Sequence, residues 1–197
     1  MTRPEPVQRL IRAIAAKGGD SSDYDLNPDI VLPEGRILRP AAVLIAVSAD
    51  GQQIYLTKRS AQLKHHPGQI AFPGGKQDPT DPTPTAAALR EAEEEISLPR
   101  DQVEVLGCLP SHETVTNFMV TPVIGLIHGL FAPKPEAGEV AEVFAVPFSH
   151  VTDPANFKVE GRRWKGRRRH YFVVPYGPYY IWGATARILR SLADRMA

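Results

Sequence analysis

The chain has 197 residues, enough for one well-buried core, and length favours a single domain over 1–197. Hydrophobic residues make up 43% and charged residues 23%, an ordinary balance for a soluble globular protein. The net charge of +1 excludes a chain that is basic or acidic throughout, so an anion-binding site has to be a local patch, and bulk charge argues against a nucleic-acid partner.

Residues 4 to 17 carry Val7, Leu10, Ile11, Ile14 and Ala15 at helical spacing and end at Lys17-Gly18-Gly19, which predicts an amphipathic helix with a glycine stop. The first residues lack the apolar stretch of a signal peptide, and no window approaches the roughly 18 apolar residues of a membrane span, so the expected location is the cytoplasm. Residues 18 to 39, rich in Gly, Asp, Ser and Pro, read as an irregular connection. With the helix they form an N-terminal extension of about 1–39, which could serve a homodimer contact.

Two apolar runs, Ala41–Val47 and Ile54–Thr57, flank Asp50-Gly51, a strong hairpin signal. A loop over 61–84 holds a short strand candidate at Ile70-Ala71-Phe72, and a helix is expected from about 84 to 97. Further strand-like runs lie at 103–109, 118–127, 140–146 and 170–174, before a final helix over Gly183–Met196. The single cysteine, Cys108, sits in an apolar run and is expected to be a buried small residue. Strands outnumber helices and hairpins recur, so the expected class is α+β around a curved mixed sheet.

The helix after Thr83-Pro84 carries the most chemical information. Thr83 suits an N-cap and Pro84 a first-turn position. On a wheel of about 100° per residue, Glu95 and Glu94 lie about 40° and 60° to either side of Glu91, while Glu93 points elsewhere. Leu89, Ala92 and Ile96 take the opposite side, and Ala87 and Ala88 lie on the acidic face one turn earlier, where they would leave room for a ligand. Three carboxylates at such spacing repel one another, and adjacent Arg90 can brace one without neutralising three. Hard, oxygen-preferring cations would relieve the strain.

Gly75, Arg90, Glu91, Glu94, Glu95 and Leu98 resemble the Nudix box, GX5EX7REUXEEXGU, where U is bulky and apolar. Asp81 stands where a glutamate is usual, one residue further from Arg90 than the pattern has it. Ser97 replaces the late glycine, and Ala92 is a small U. The resemblance implies a Nudix-like α/β/α sandwich with a loop–helix–loop that binds Mg²⁺ or Mn²⁺ through Glu91, Glu94 and Glu95.

Upstream, Leu56-Thr57-Lys58-Arg59-Ser60 through Gly68 to Phe72-Pro73-Gly74-Gly75 is similar to the signature of the coenzyme A diphosphatase branch of the same superfamily. Tyr55 and Lys64 replace its leucine and second arginine. The likeness extends more weakly through Val120–Val123 and Ile181–Ala186. It implies hydrolysis of coenzyme A, a small-molecule substrate, with Arg59, Lys64, Gly74 and Gly75 gripping its phosphates. Glu94, Glu95, Arg90 and Glu139 are the candidate catalytic residues. Glu139 is favoured over Glu94 and Glu142 as general base, since related enzymes often recruit an acid from such a downstream position. Other Nudix substrates (ADP-ribose, dinucleotides, oxidised nucleoside triphosphates, capped RNA) are the rivals, as is a non-catalytic nucleotide sensor. A basic cluster, Arg162–Arg169, with Lys165-Gly166 as a hairpin tip, looks like a charged β-turn projecting into water. The alternatives for it are a 3′-phosphate, another subunit or RNA, the last suggested by Trp164 amid arginines.

Overall fold

The computed structural model describes residues 2–164 and 166–197. In chain order the elements are α1 (Glu5–Ala15), β1 (Ser21–Ser22), β2 (Arg39–Ser48), β3 (Gln53–Arg59), β4 (Ile70–Ala71), β5 (Gly74–Lys76) and α2 (Pro84–Ile96). Then come β6 (Val103–Cys108), β7 (His112–Glu113), β8 (Phe118–Ile127), β9 (Val140–Pro147), α3 (Phe148–Val151), β10 (Lys158–Trp164), β11 (Arg167–Val173) and α4 (Gly183–Met196). Among the described residues no helix is long and apolar enough to cross a membrane.

Nine strands form one mixed sheet, with β10 and β11 as a separate antiparallel ribbon. The organising strand is β2. It runs parallel to β8 along its whole length, from Arg39 opposite Phe118 to Ser48 opposite Ile127. Its other edge forks: Ala46 and Val47 pair with β3, whereas Ala41–Val43 pair with β5. The Pro73-Gly74-Gly75 turn enters at the fork, where Leu44 donates its N–H to the Pro73 carbonyl at 2.8 Å.

Side chains of β2 alternate between two buried faces, as a central strand with both faces covered must. Ala41, Ile45 and Val47 join the larger core, which also holds Val7, Leu10 and Ala13 of α1 and Leu189, Leu192 and Ala193 of α4. Ala42, Leu44 and Ala46 join a smaller core with Ala87, Ala88, Ala92 and Ile96 of α2. The result is the expected α+β sandwich, with helices on both faces of a curved mixed sheet. α1 and α4 cap each other: Arg9 donates to the Met196 carbonyl at 2.8 Å and Arg195 to the Ala16 carbonyl at 2.6 Å, so basic side chains satisfy carbonyls that a helix end leaves free.

Four expectations change. α1 ends at Ala15, where Ala16 turns extended (φ −66°, ψ 137°), so the glycines lie beyond the stop and do not make it. Ala87 and Ala88 are fully buried against the sheet and leave no room for a ligand. Only small side chains let the helix axis approach β2 this closely. Cys108 is exposed: β6 pairs with β8 alone, and its register slips between Val105 and Gly107, so Leu109 is the buried residue. The 170–174 run belongs to a hairpin that begins with β10; Lys165, expected at its tip, lies outside the described residues.

Candidate active site

Thr83 caps α2 as its sequence suggests, its Oγ1 accepting from the Ala86 N–H at 3.1 Å, with Pro84 in the first turn. At the other end Ser97, in place of the usual glycine, adopts a left-handed conformation (φ +58°), and its N–H returns to the Ala92 and Glu93 carbonyls. Two further carbonyls of α2 are taken by the loop before β9. The Lys134 N–H donates to the Ile96 carbonyl at 3.1 Å and the Glu136 N–H to the Glu95 carbonyl at 2.9 Å.

Packing Ala88, Ala92 and Ile96 on the sheet rolls the acidic face toward β5. Glu95 is buried, 5% exposed, and its Oε2 accepts from the Gly74 N–H at 3.0 Å. Burial pushes its carboxyl up to about 7, against the lowering effect of that bond. Glu91 is half-buried, and burial raises its carboxyl too, with Arg90 pulling the other way. The double glycine is what admits these acids. A Cβ on Gly75 would stand 2.5 Å from Oε1 of Glu91. One on Gly74 would meet the Ala42 carbonyl at 2.5 Å, and Gly74 has φ +152°.

Arg90 ties the loop to the helix. Its Nη2 donates to Asp81 Oδ2 at 2.9 Å and to the Lys76 carbonyl at 3.1 Å, and its Nε to Asp81 Oδ1 at 3.1 Å. Its Nη1 reaches Glu94 Oε2 at 2.9 Å and Glu91 Oε1 at 3.1 Å. Asp81 also accepts from the Asp78 N–H at 2.9 Å. The Arg90 bond holds the Asp81 carboxyl below the usual aspartate range, and Asp81 raises the guanidinium in return. The aspartate in the unusual position is therefore the anchor of Arg90.

These elements surround a cavity of about 450 Å³ lined by Arg59, Gly74, Gly75, Lys76, Asp78, Glu91, Glu94, Glu95, Glu136 and Glu139. Six carboxylates thus face two basic side chains. Arg59 Nε is buried without a hydrogen-bond partner among the described residues. Of the residues singled out in the sequence, Arg59, Gly74, Gly75, Glu91, Glu94, Glu95 and Glu139 meet here, and Arg90 lies directly behind them. Lys64 does not line the cavity: it is exposed on the loop between β3 and β4, so Arg59 alone of that pair lines it. Glu142 faces away, accepting a hydrogen bond from the Tyr179 hydroxyl.

Glu136 was absent from the candidates, since a lone glutamate in a Pro- and Gly-rich stretch has no periodic signal. Its Oε2 accepts from the Gly138 and Glu139 N–H groups at 2.9 and 3.0 Å, which shapes the turn that presents Glu139. Among the described residues no three acidic, histidine or cysteine side chains are gathered closely enough to hold an ion as they stand. Glu91 and Glu94 lean on Arg90 instead. The donors are nevertheless of the right kind, all-oxygen and anionic, for Mg²⁺ or Mn²⁺.

The NUDIX domain model matches residues 38–165, from the approach to β2 to the end of the sequence run that holds β10. The uncharacterized Nudix hydrolase NudL of Enterobacter sp. (strain 638) is 39% identical over 182 residues, covering 86% of this chain and 95% of that protein. The NudL of Citrobacter koseri is 42% identical over 156 residues, covering 79% and 81%. Among solved structures, the MutT protein from Methanosarcina mazei Go1 shares the fold with a TM-score of 0.52 at 17% identity, over 83% of this chain and 97% of that one. A helix that turns its glutamates onto a double-glycine strand inside a mixed sandwich, together with this match over most of the length, makes the chain a member of the Nudix hydrolase family.

Proposed function

We propose that this Nudix hydrolase cleaves the diphosphate of coenzyme A, giving 4′-phosphopantetheine and adenosine 3′,5′-bisphosphate. The observation that carries the reading is Arg59: the arginine of the upstream signature lines the carboxylate cavity, its buried Nε unpartnered. A buried donor without an acceptor is costly, and a phosphate oxygen would satisfy it.

Members of this family generally use divalent cations such as Mg²⁺ or Mn²⁺. Glu91 and Glu95 are the principal ligands in this reading, with Glu94 sharing a second ion. When bound, such ions neutralise charge on the diphosphate and acidify a water. Arg90 keeps Glu91 and Glu94 on one side of the cavity and is a positioning residue. Glu139 is the general base: its carboxylate lines the cavity without a hydrogen bond among the described residues, whereas Glu94 is held by Arg90. The base draws a proton from water as oxygen bonds to phosphorus, and the P–O–P bridge oxygen leaves on the other phosphate. Gly74 and Gly75 let the diphosphate approach the backbone.

Mass spectrometry of products from coenzyme A, its acyl and disulfide forms, ADP-ribose and a dinucleoside polyphosphate, each with Mg²⁺ or Mn²⁺, tests the reading. The expected result is the two named products from a coenzyme A form, faster than any product from ADP-ribose. Faster turnover of ADP-ribose would refute the substrate, and binding without products would refute the reaction.

A further inference from the structure

The β10–β11 ribbon is not used by the site described above. Residues 158–169 hold seven of the chain's 23 basic residues and one of its 22 acidic ones, net +6 in a chain of net +1. The near-neutral total therefore conceals a strongly basic ribbon. Its register sets Arg162 opposite Arg169 and Arg163 opposite Arg168. Like charges facing each other across strands are destabilising, and a two-stranded ribbon has little stability to lose. Among the described residues Arg163, Arg167 and Arg168 meet no carboxylate.

Alternate residues of a strand share a face. One face carries Glu160, Arg162, Arg167, Arg169 and Tyr171, and aromatic rings line it. The Arg162 guanidinium lies 5.7 Å from the Trp182 ring and that of Arg169 5.3 Å from Tyr24. Tyr171 meets Trp182 edge-on at 5.2 Å. Tyr180, 43% exposed, stands beside Tyr171, its hydroxyl 2.6 Å from Glu160. Asn27 fixes β11 beneath them, bonding both the N–H and the carbonyl of His170 at 2.8 and 2.9 Å.

We propose that this face is a docking surface for single-stranded nucleic acid, with Arg162, Arg167 and Arg169 on phosphates and Tyr180, Tyr171 and Trp182 as platforms for bases. Alternating guanidinium groups and ring faces suit a strand whose phosphates and bases can both be reached. A lipid surface would need the charge alone and would use both faces of the ribbon.

The test is fluorescence anisotropy of a labelled single-stranded RNA of about 12 nucleotides with the full-length protein, at about 50 and 200 mM salt. Wild type binds, more weakly at higher salt. Arg162→Gln with Arg167→Gln lowers affinity at least about ten-fold and flattens the log–log salt slope by about 1.4, the share of two phosphate contacts to a single strand. Tyr180→Ala lowers affinity about ten-fold without changing the slope. The opposite-face pair, Arg163→Gln with Arg168→Gln, changes affinity less than about three-fold. Arg167→Glu alone, at an exposed position with no ring contact among the described side chains, repeats the loss. Hydrolysis of the small-molecule substrate is unchanged in all of them, so this outcome is separable from the identity of that substrate. No binding by wild type, equal weakening by both arginine pairs, or binding to phosphatidylglycerol vesicles but not to RNA overturns the proposal.

Discussion

The Gly74 N–H donates to Oε2 of Glu95 across the fork in the sheet, at 3.0 Å, and this contact joins the turn that ends the upstream signature to the third glutamate of the α2 cluster. Glu95 is nearly sealed and forms no ion pair among the described residues, unlike Glu91 and Glu94. In the metal-free protein its ionised form is therefore a cost to the fold. Glu95→Gln keeps the acceptor for Gly74 while removing the charge. It should lower turnover more than about 100-fold and raise the melting temperature of the metal-free protein near pH 8. It should also abolish the stabilisation that Mn²⁺ gives wild type. A variant with full activity would remove Glu95 from the chemistry.

The same residue sets a pH dependence. Its folded carboxyl titrates near 7 against an ordinary 4.5, so between those values the native state holds the proton that the unfolded chain has released. Its contribution to stability is greatest below about pH 4.5 and declines as pH rises toward 7. The total decline is on the order of 3 kcal/mol, and Glu91 adds in the same direction. Denaturant melts of metal-free wild type and Glu95→Gln between about pH 5 and pH 8 should converge at the acid end and separate at the alkaline end.

Arg90 spends its guanidinium on Asp81, Glu91, Glu94 and the Lys76 carbonyl. A lysine cannot reproduce that planar set of donors. Arg90→Lys should destabilise by about 1–3 kcal/mol and reduce kcat more than KM, because it loosens the carboxylates rather than the substrate. Asp81→Asn should act in the same direction. The two together should cost less than their sum, as expected of partners in one network; strict additivity would show that Asp81 does not act through Arg90.

The two glycines should fail differently. Gly74→Ala drives a Cβ into the backbone of Ala42 and Val43 and should destabilise by more than about 2 kcal/mol. Gly75→Ala meets only the end of the Glu91 side chain, so it should fold but lose activity as that carboxylate swings away. Circular dichroism melts beside turnover separate the two. At the far end of the helix, Ser97→Gly should stabilise by about 0.5–1 kcal/mol by relieving the left-handed serine, leaving turnover as it was.

The parts of the fold that were legible in the sequence are those governed by local rules. The Asp50-Gly51 hairpin, the Thr83-Pro84 start of α2 and the boundaries of α4 follow from turn, cap and periodicity signals. What escaped depends on partners far along the chain. β10 reads Lys-Val-Glu-Gly-Arg-Arg-Trp and alternates no apolar residues, since it joins no core sheet. Ala87 and Ala88 could be placed on a wheel, but that their face meets β2 is a tertiary fact. Lys64 fits the spacing of a motif, yet the loop that carries it faces solvent. Glu91, Glu94 and Glu95 were legible because one helical turn fixes their spacing, and Glu136 was not because its position depends on a backbone bond to α2.

That bond couples the length of one segment to the geometry of another. The chain from Lys134 to Glu139 is pinned at its start by the Ile96 and Glu95 carbonyls and at its end by Ser60, whose N–H donates to the Glu139 carbonyl at 2.8 Å. An inserted residue between these anchors would have to bulge outward, displacing Glu139 from the cavity rather than slackening the loop. Natural variation in length should then collect before Lys134, around Gly129 and the fully exposed Leu130, where no backbone hydrogen bond among the described residues ties the chain to the helix.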